Sequence, residues 1–317
     1  LRVLIGIELP PEEQERLLGA FPEVEFVVAG SREEVLREAP HCEVMFGVSG
    51  IRELLDIAPR LRWVQVWAAG VNHQPLEELR ARGILLTNAS GVHGIPIAEN
   101  ILGMMLAFAI RLPTYIEAKQ RHEWLSYDVV HQKFELEGQT LLIIGLGGIG
   151  STLAWKAHAL GVHVIGIRNR PLPPPPGVQK LFTLDQLKEA LAQADHVALC
   201  LPLTPATIGF LGEDELRQMK PTAYIYNVGR GPSIDREALL KALQDGWIAG
   251  AGLDVTDPEP LPPDDPLWTF PNVILTQHTS GYTPKAAHRI TSIFLENLRR
   301  FLANEPLINL VDYERRY

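Results

Sequence analysis

The chain has 317 residues, 46% hydrophobic and 21% charged, with a formal net charge of -9 and a pI of about 5.6. That length suggests about two domains with real cores, and the acidic balance argues against general nucleic-acid binding, which needs a basic face. Two cysteines, Cys42 and Cys200, make neither a metal-ligand spacing nor a disulfide framework; both sit in apolar runs, as buried thiols compatible with a reducing compartment.

In chain order, "LRVLIGIELPPEE" is strand-like and then acidic, without the charged n-region or cleavage site of a leader. "RVLIGI" is expected as a strand and "PPEEQERLLGAF" as a helix with Pro and Glu in its first turn. The short runs "VEFVVAG", "CEVMFGV", "LRWVQVWAAG" and "GILLTNAS" alternate with amphipathic stretches, which implies a parallel sheet with helices on its faces. One long helix is expected from about Ile97 to about Lys119. Its apolar run "ILGMMLAFAI" is short of the roughly 20 residues a bilayer needs, so burial is expected and no membrane partner.

Next, "LEGQTLLIIGLGGIGSTLAWKAHALGVHVIGIRNRP" spells strand, turn, helix, strand. A Pro-rich surface loop ("RPLPPPPG") and a short helix ("TLDQLKEALAQ") come next. Strands are expected at "HVALCLPL", "AYIYNVG", "IAGAGLDV" and "VILTQH", and helices at "GEDELRQMK" and "DREALLKALQDG". These make a second, independent doubly wound sheet. The tail is a helix with a short extended end.

Gly145, Gly147 and Gly150 form a G-x-G-x-x-G frame between an apolar strand and a helix. Gly145 permits the tight turn, Gly147 lets the backbone approach a pyrophosphate, and Gly150 lets helix and strand pack closely. The helix N-terminus, with Leu146, Gly148 and Ile149 beside the glycines, offers free N–H groups and a dipole to the phosphates. The alternative is a purely structural turn. Roughly 20 residues on, an acid suits the ribose hydroxyls of NAD and an arginine the 2′-phosphate of NADP. This chain places Arg168, Asn169 and Arg170 there, with no acid between Gly150 and Pro171. Arginine offers a dianionic phosphate a charged fork of donors, so NADP(H) is the expected cofactor, with NAD(H) possible. Solvated charges at a strand end are the other reading.

With these motifs the chain resembles the D-isomer-specific 2-hydroxyacid dehydrogenase family over essentially its whole length. The resemblance rests on "GLGGIG", "LPLTPATIGFLGEDELRQMKPTAYIYNVGRG", "GLDVTDPEPLP" and "QHTSG", with "AAGVN" and "IAEN" upstream. It implies two doubly wound, Rossmann-like α/β domains with a cleft between them. The substrate-binding domain would be discontinuous and flavodoxin-like, residues 1–97 plus 290–317, and the dinucleotide-binding domain would span 98–289. No metal is implied.

The resemblance makes Arg230 the residue that grips a 2-oxo acid's carboxylate and polarises its carbonyl. His278 becomes the proton donor, suited by an ordinary pKa near working pH. Glu259 becomes its buried carboxylate partner, orienting the ring and favouring its charged form. Glutamate here also speaks against a formate dehydrogenase, which usually pairs its histidine with glutamine. By the same resemblance Ala69 and Gly70 present backbone N–H groups to the substrate, and Trp67 is a pocket wall. Asn72 stands where many relatives have Asp. Leu201, Pro202 and Thr207 would run past the adenosine and phosphates, and Asp254 would meet the nicotinamide carboxamide, with a turn or cap role as its alternative. Val228, Gly229, Arg230, His278 and Gly281 would complete the cofactor site. A glyoxylate/hydroxypyruvate-type reductase is the implied activity, in a cytoplasmic homodimer formed through the helix after Pro96. Two alternatives stay open: a nucleotide-binding corepressor on the same fold, and a phosphoglycerate dehydrogenase lacking a regulatory domain.

Overall fold

The computed structural model describes residues 1–71, 73–127, 129–168 and 172–314. They divide into two compact units, Leu1–His93 with Tyr282–Tyr317, and Gly94–Gly281.

The first unit alternates strand and helix: β1 (Arg2–Ile5), α1 (Pro11–Ala20), β2 (Glu25–Val28), α2 (Arg32–Glu38), β3 (Val44–Phe46), α3 (Ile51–Ile57), β4 (Trp63–Gln65), α4 (Leu76–Ala81) and β5 (Leu85–Thr87). All pairings are parallel, in the order β2-β1-β3-β4-β5. Successive strand residues point to opposite faces. Leu4 and Val64 enter the core on one side of the sheet, and Val3, Ile5 and Trp63 the core on the other. Burial on both faces is why the inner strands β1, β3 and β4 are largely apolar, whereas β2, at the edge, is exposed at Glu25 and Val28.

The second unit contains α5 (Gly94–Ala109), α6 (Leu112–Gln120), β6 (Thr140–Ile144), α7 (Gly148–Ala159), β7 (His163–Ile167), β8 (Val178–Phe182), α8 (Leu187–Gln193), β9 (His196–Leu199), α9 (Glu213–Leu216), β10 (Tyr224–Asn227), α10 (Arg236–Gln244), β11 (Gly250–Leu253) and β12 (Val273–Leu275). Its sheet is parallel throughout, ordered β12-β11-β10-β9-β6-β7-β8. The winding reverses between β6 and β9. The last helix, α11 (Pro284–Leu302), returns to the first unit, where Phe294 stacks on Phe46 at 4.3 Å and on Trp63 at 5.3 Å. Beside it Asn297 donates to Gln65 Oε1 at 3.2 Å and accepts from the Ile308 N–H at 2.7 Å, tying the tail to β4.

Two expected elements differ, and one strand is new. The long helix after Pro96 is two helices meeting at 67°. Pro113, in the first turn of α6, has no N–H to continue α5 and its ring would clash with the carbonyl four residues back. Arg111 takes up the break at φ +60. Among the described residues, no single helix is long and apolar enough to cross a membrane. The strand β8 was not expected: Gln179 and Lys180 are exposed on it, and their polarity hides an edge strand. The helix expected over "GEDELRQMK" is only the single turn of α9, which gives way to turns after Leu216; Pro221 disfavours helix at the far end of the segment. Cys42 is buried and Cys200 half-buried, and burial pushes their thiols up, to about 11 and about 12.

One buried polar group sets a pH limit on the second unit. His196, on β9, is fully buried between Gln139 and Tyr226. Its Nε2 lies 2.8 Å from Gln139 Oε1 and its Nδ1 3.1 Å from the Tyr226 hydroxyl. A neutral ring protonated on Nε2 satisfies both, and burial lowers the pKa from 6.5 to about 4, opposed by Asp195. Below about pH 6.5 the unfolded chain therefore takes up a proton that the folded ring refuses until about pH 4. Folding stability falls by about 3 kcal/mol through this group across that window. Urea titrations at about pH 7 and about pH 4.5 are expected to show a smaller acid-induced loss in His196→Gln than in the parent. Equal losses would assign the acid sensitivity elsewhere.

Candidate functional site

In open α/β sheets, ligands lie outside the carboxyl ends of the strands where the winding reverses. In the second unit that place is the ends of β6 and β9. Gly145 follows β6 at φ +99, and a Cβ on it would lie 2.7 Å from the Cys200 carbonyl oxygen. A Cβ on Gly150 would overlap the Gly145 carbonyl oxygen, so α7 packs directly on the turn. Gly147 differs, because a Cβ there would meet nothing within 4 Å. Two glycines therefore serve internal packing, and the third faces open space. No side chain caps α7. The N–H groups of Gly148 and Ile149 are left for an anion, which the helix dipole also favours. Leu146 is buried against Gly166 of β7, where a Cβ would come within 2.7 Å of its side chain. This turn fits a dinucleotide's diphosphate.

Arg168 follows β7 directly and is half-buried; its Nε is buried and finds no hydrogen-bond partner among the described residues. Asn169 and Arg170 lie outside the described residues, as does Asn72. Leu201 and Pro202 continue from β9, and Gly229 lies so close that a Cβ would be 2.6 Å from the Leu201 carbonyl oxygen. Thr207 closes the loop: its hydroxyl donates to the Pro202 carbonyl at 2.7 Å and accepts from the Thr204 N–H at 2.8 Å. Val228 is buried below.

Arg230, Glu259 and His278 leave the carboxyl ends of three adjacent strands, β10, β11 and β12. Buried Asn227 shapes the first turn: its Oδ1 accepts from the Gly229 N–H at 3.1 Å and its Nδ2 donates to the Arg230 carbonyl at 2.9 Å. Arg230 is half-buried, with Nη1 donating to the Gly229 carbonyl at 2.7 Å. A Cβ on Gly231 would overlap the Thr256 carbonyl oxygen, so this turn rests on the loop after β11.

The Asp254 carboxylate, only 3% exposed, organises the turn after β12. Its Oδ1 accepts from the Thr276 hydroxyl at 2.6 Å and from the N–H groups of Thr279 and Ser280 at 3.1 Å each; its Oδ2 accepts from the Ser280 hydroxyl. With Oδ1 saturated, any contact with a ligand falls to Oδ2. Between these donors, Gln277 and His278 are held at φ +53 and +57.

The His278 Nδ1 is 2.8 Å from Glu259 Oε2, and Glu259 Oε1 accepts from the Thr256 N–H at 3.0 Å. The expected carboxylate is therefore beside the ring. It is not buried as expected: its side chain is 37% exposed and that of His278 48%. The Pro-rich loop carries it at the molecular surface of this unit. A cavity of about 490 Å³ adjoins the pair, walled by Leu253, Leu261, Trp268 and Leu275. Gly281, last in this unit, follows Ser280.

Trp67, Ala69 and Gly70 belong to the first unit. Trp67 is half-buried, its ring 6.4 Å from Phe46, and with Ser49 and Arg52 it lines a separate cavity of about 320 Å³. Ala69 is exposed and Gly70 half-exposed. Sequence reasoning passed over Asn227, Thr256, Thr276 and Ser280. The only signal was their position, one to three residues from a motif residue.

The two kinds of glycine make different predictions. Gly150→Ala must push α7 from the turn and is expected to cost about 1–3 kcal/mol of stability. Gly147→Ala is expected to melt like the parent and to bind a nicotinamide dinucleotide about tenfold or more weakly in a fluorescence titration. Undiminished binding would show that no phosphate approaches Gly147.

Comparison with known proteins agrees with this geometry. Residues 102–280 match the family model described as "D-isomer specific 2-hydroxyacid dehydrogenase, NAD binding domain". A glyoxylate reductase from Korarchaeum cryptofilum is 36% identical over 269 residues, 83% of this chain and 79% of the relative. Among solved structures, a D-isomer specific 2-hydroxyacid dehydrogenase family protein from Aeromonas salmonicida superposes with a TM-score of 0.89 at 31% identity, covering 98% of this chain and 99% of its own. An NADPH-dependent glyoxylate/hydroxypyruvate reductase from Sinorhizobium meliloti, solved with NADP and sulfate, gives a TM-score of 0.84 at 27% identity, covering 100% and 99%. With an α/β architecture of two parallel sheets and a nucleotide-binding turn at the second sheet's reversal, the chain belongs to the D-isomer specific 2-hydroxyacid dehydrogenase family.

Proposed function

We propose that the protein is an NADPH-preferring reductase of small 2-oxo acids, acting on glyoxylate or hydroxypyruvate. The observation that carries this reading is the 2.8 Å contact between His278 and Glu259 at the ends of neighbouring strands, with Arg230 on the next turn. The relatives named for glyoxylate reduction support the substrate class.

When bound, a nicotinamide dinucleotide would supply the hydride for the substrate's C2 carbon. Glu259 holds Nδ1 of His278, leaving Nε2 as the nitrogen that meets the substrate oxygen. In reduction the protonated ring gives its Nε2 proton to that oxygen; in oxidation the neutral ring takes it back. Arg230 grips the carboxylate and polarises the carbonyl beside it. Backbone N–H groups near Ala69 and Gly70, with Trp67 as a wall, are the proposed second grip, on the strength of "VWAAGVN" alone.

The Gly145–Gly150 turn would hold the diphosphate, and Leu201, Pro202, Thr207, Val228, Gly229 and Gly281 the rest of the dinucleotide. Arg168, with Asn169 and Arg170, would hold the 2′-phosphate; the unpartnered Nε of Arg168 supports this. A homodimer in the cytoplasm completes the proposal. Its support is the exposed apolar side chains Leu106, Leu112 and Ile116 on α5 and α6 and Ile110 between them, together with two cysteines that form no disulfide.

The deciding assay follows oxidation of NADPH and of NADH with glyoxylate, hydroxypyruvate, pyruvate and phenylpyruvate. Glyoxylate or hydroxypyruvate with NADPH is expected to give the highest kcat/KM. Tight nucleotide binding without turnover of any acid would indicate a regulatory binding protein instead. Arg168→Asp is expected to lower kcat/KM for NADPH about tenfold or more relative to NADH. Equal losses would return Arg168 to the ordinary surface. Glu259→Gln is expected to lower kcat by about 10- to 100-fold and to shift the His278 limb of the pH–rate profile, since the ring loses its charged partner. An unmoved limb would remove Glu259 from the proton-transfer machinery.

A further inference from the structure

Glu259 is carried on a Pro-rich loop in which another acid, six residues further on, is deeply buried. Asp265 has 2% of its side chain exposed and pairs with Arg236 at 2.6 Å through Oδ2 and Nη2. Its other oxygen, Oδ1, accepts from the Leu267 N–H at 2.9 Å. Arg236 is the first residue of α10, already capped by Asp235, whose side chain accepts from the Ala238 N–H at 2.8 Å. A cation in the first turn opposes the helix dipole. Arg236 Nη1 also donates to Glu237 Oε1 of its own helix at 2.9 Å, but that carboxylate is 85% exposed, so the buried partner of Arg236 is the loop carboxylate.

Between the two acids run Pro260, Leu261, Pro262, Pro263 and Asp264. Three prolines hold φ near one value and leave this segment few ways to bend. Its middle is pinned by the Trp268 indole N–H, which donates to the Pro262 carbonyl at 2.8 Å. Its start is pinned by the Thr256 hydroxyl donating to the Pro258 carbonyl at 2.9 Å. A stiff segment fixed by a half-buried ion pair hands that position on to Glu259, which is itself partly exposed and whose partners among the described residues are the Thr256 N–H and the His278 ring.

We propose that the Arg236–Asp265 ion pair is a positioning device for the reaction, holding the Pro-rich loop so that Glu259 stays on Nδ1 of His278. The inference rests on the proposed role of the His278–Glu259 pair. The pair acts through Glu259, so it is a positioning pair and not part of the proton transfer itself. Among the described residues, the titratable groups on the segments that follow β11 and β10 are Asp254, Asp257, Glu259, Asp264 and Asp265, and Arg230; apart from Asp265 itself, none of these is altered by changing Asp265 or Arg236.

Asp265→Asn tests the pair, because the amide keeps an oxygen for the Leu267 N–H and loses only the charge. Arg236→Gln tests it from the other side. Each is expected to lower kcat about threefold to tenfold, to leave KM for NADPH unchanged, and to move the His278 limb of the pH–rate profile in the same direction as Glu259→Gln. Combined with Glu259→Gln, neither is expected to add a further shift, since residues acting through one contact are not additive. A lowered melting temperature with an unmoved limb would make the pair structural and overturn the proposal. So would a full additional shift in the double variant. If Glu259→Gln itself leaves the limb in place, it is the His278–Glu259 reading that fails, and the two failures are thereby distinguished.

Discussion

The buried Asp254 carboxylate is the interaction on which the site in the second unit depends. Four donors from the turn after β12 converge on it. Two consecutive residues with side chains, Gln277 and His278, sit in the left-handed region, where an L-residue costs about 1–2 kcal/mol. Charge-assisted hydrogen bonds to a carboxylate away from water are strong enough to offset that. Without Asp254 the turn would relax, and the imidazole would lose the direction that brings Nδ1 to Glu259.

The sheet explains why such an anchor is available. β10, β11 and β12 are neighbours in register, Asn227 beside Leu253 and Leu253 beside Leu275. Parallel strands end at the same edge, so residues 230, 254, 259 and 278, spread over the sequence, are delivered to one rim. The glycine turn reaches that rim from β6, two strands beyond β10. Helix α7 can start there only because Gly145 and Gly150 carry no Cβ.

Much of this was legible beforehand. Apolar runs of near-constant length mark strands buried on both faces, and all but one of the strands were expected. The exception, β8, is half polar because it is an edge. The helix after Pro96 was overextended, since apolar periodicity continues through Arg111 while the backbone does not; Pro113 was the available warning. In the site, His278, Glu259 and Arg230 stood out through motifs. Asp265 did not, because an acid in a Pro-rich loop ordinarily faces water, and its partner Arg236 is 29 residues away.

By itself, the sequence determined the α/β class, the dinucleotide turn and the family, because these depend on local spacing: alternation in strands, glycines at fixed offsets, short motifs in order. Only the tertiary structure decided which side chains meet. It showed that Asp254 gathers the turn after β12, that Glu259 stands at the ring while partly exposed, and that Arg236 holds Asp265. Such contacts join residues about 20 to 30 apart in the chain, and they exist only once parallel strands have brought their ends to one edge.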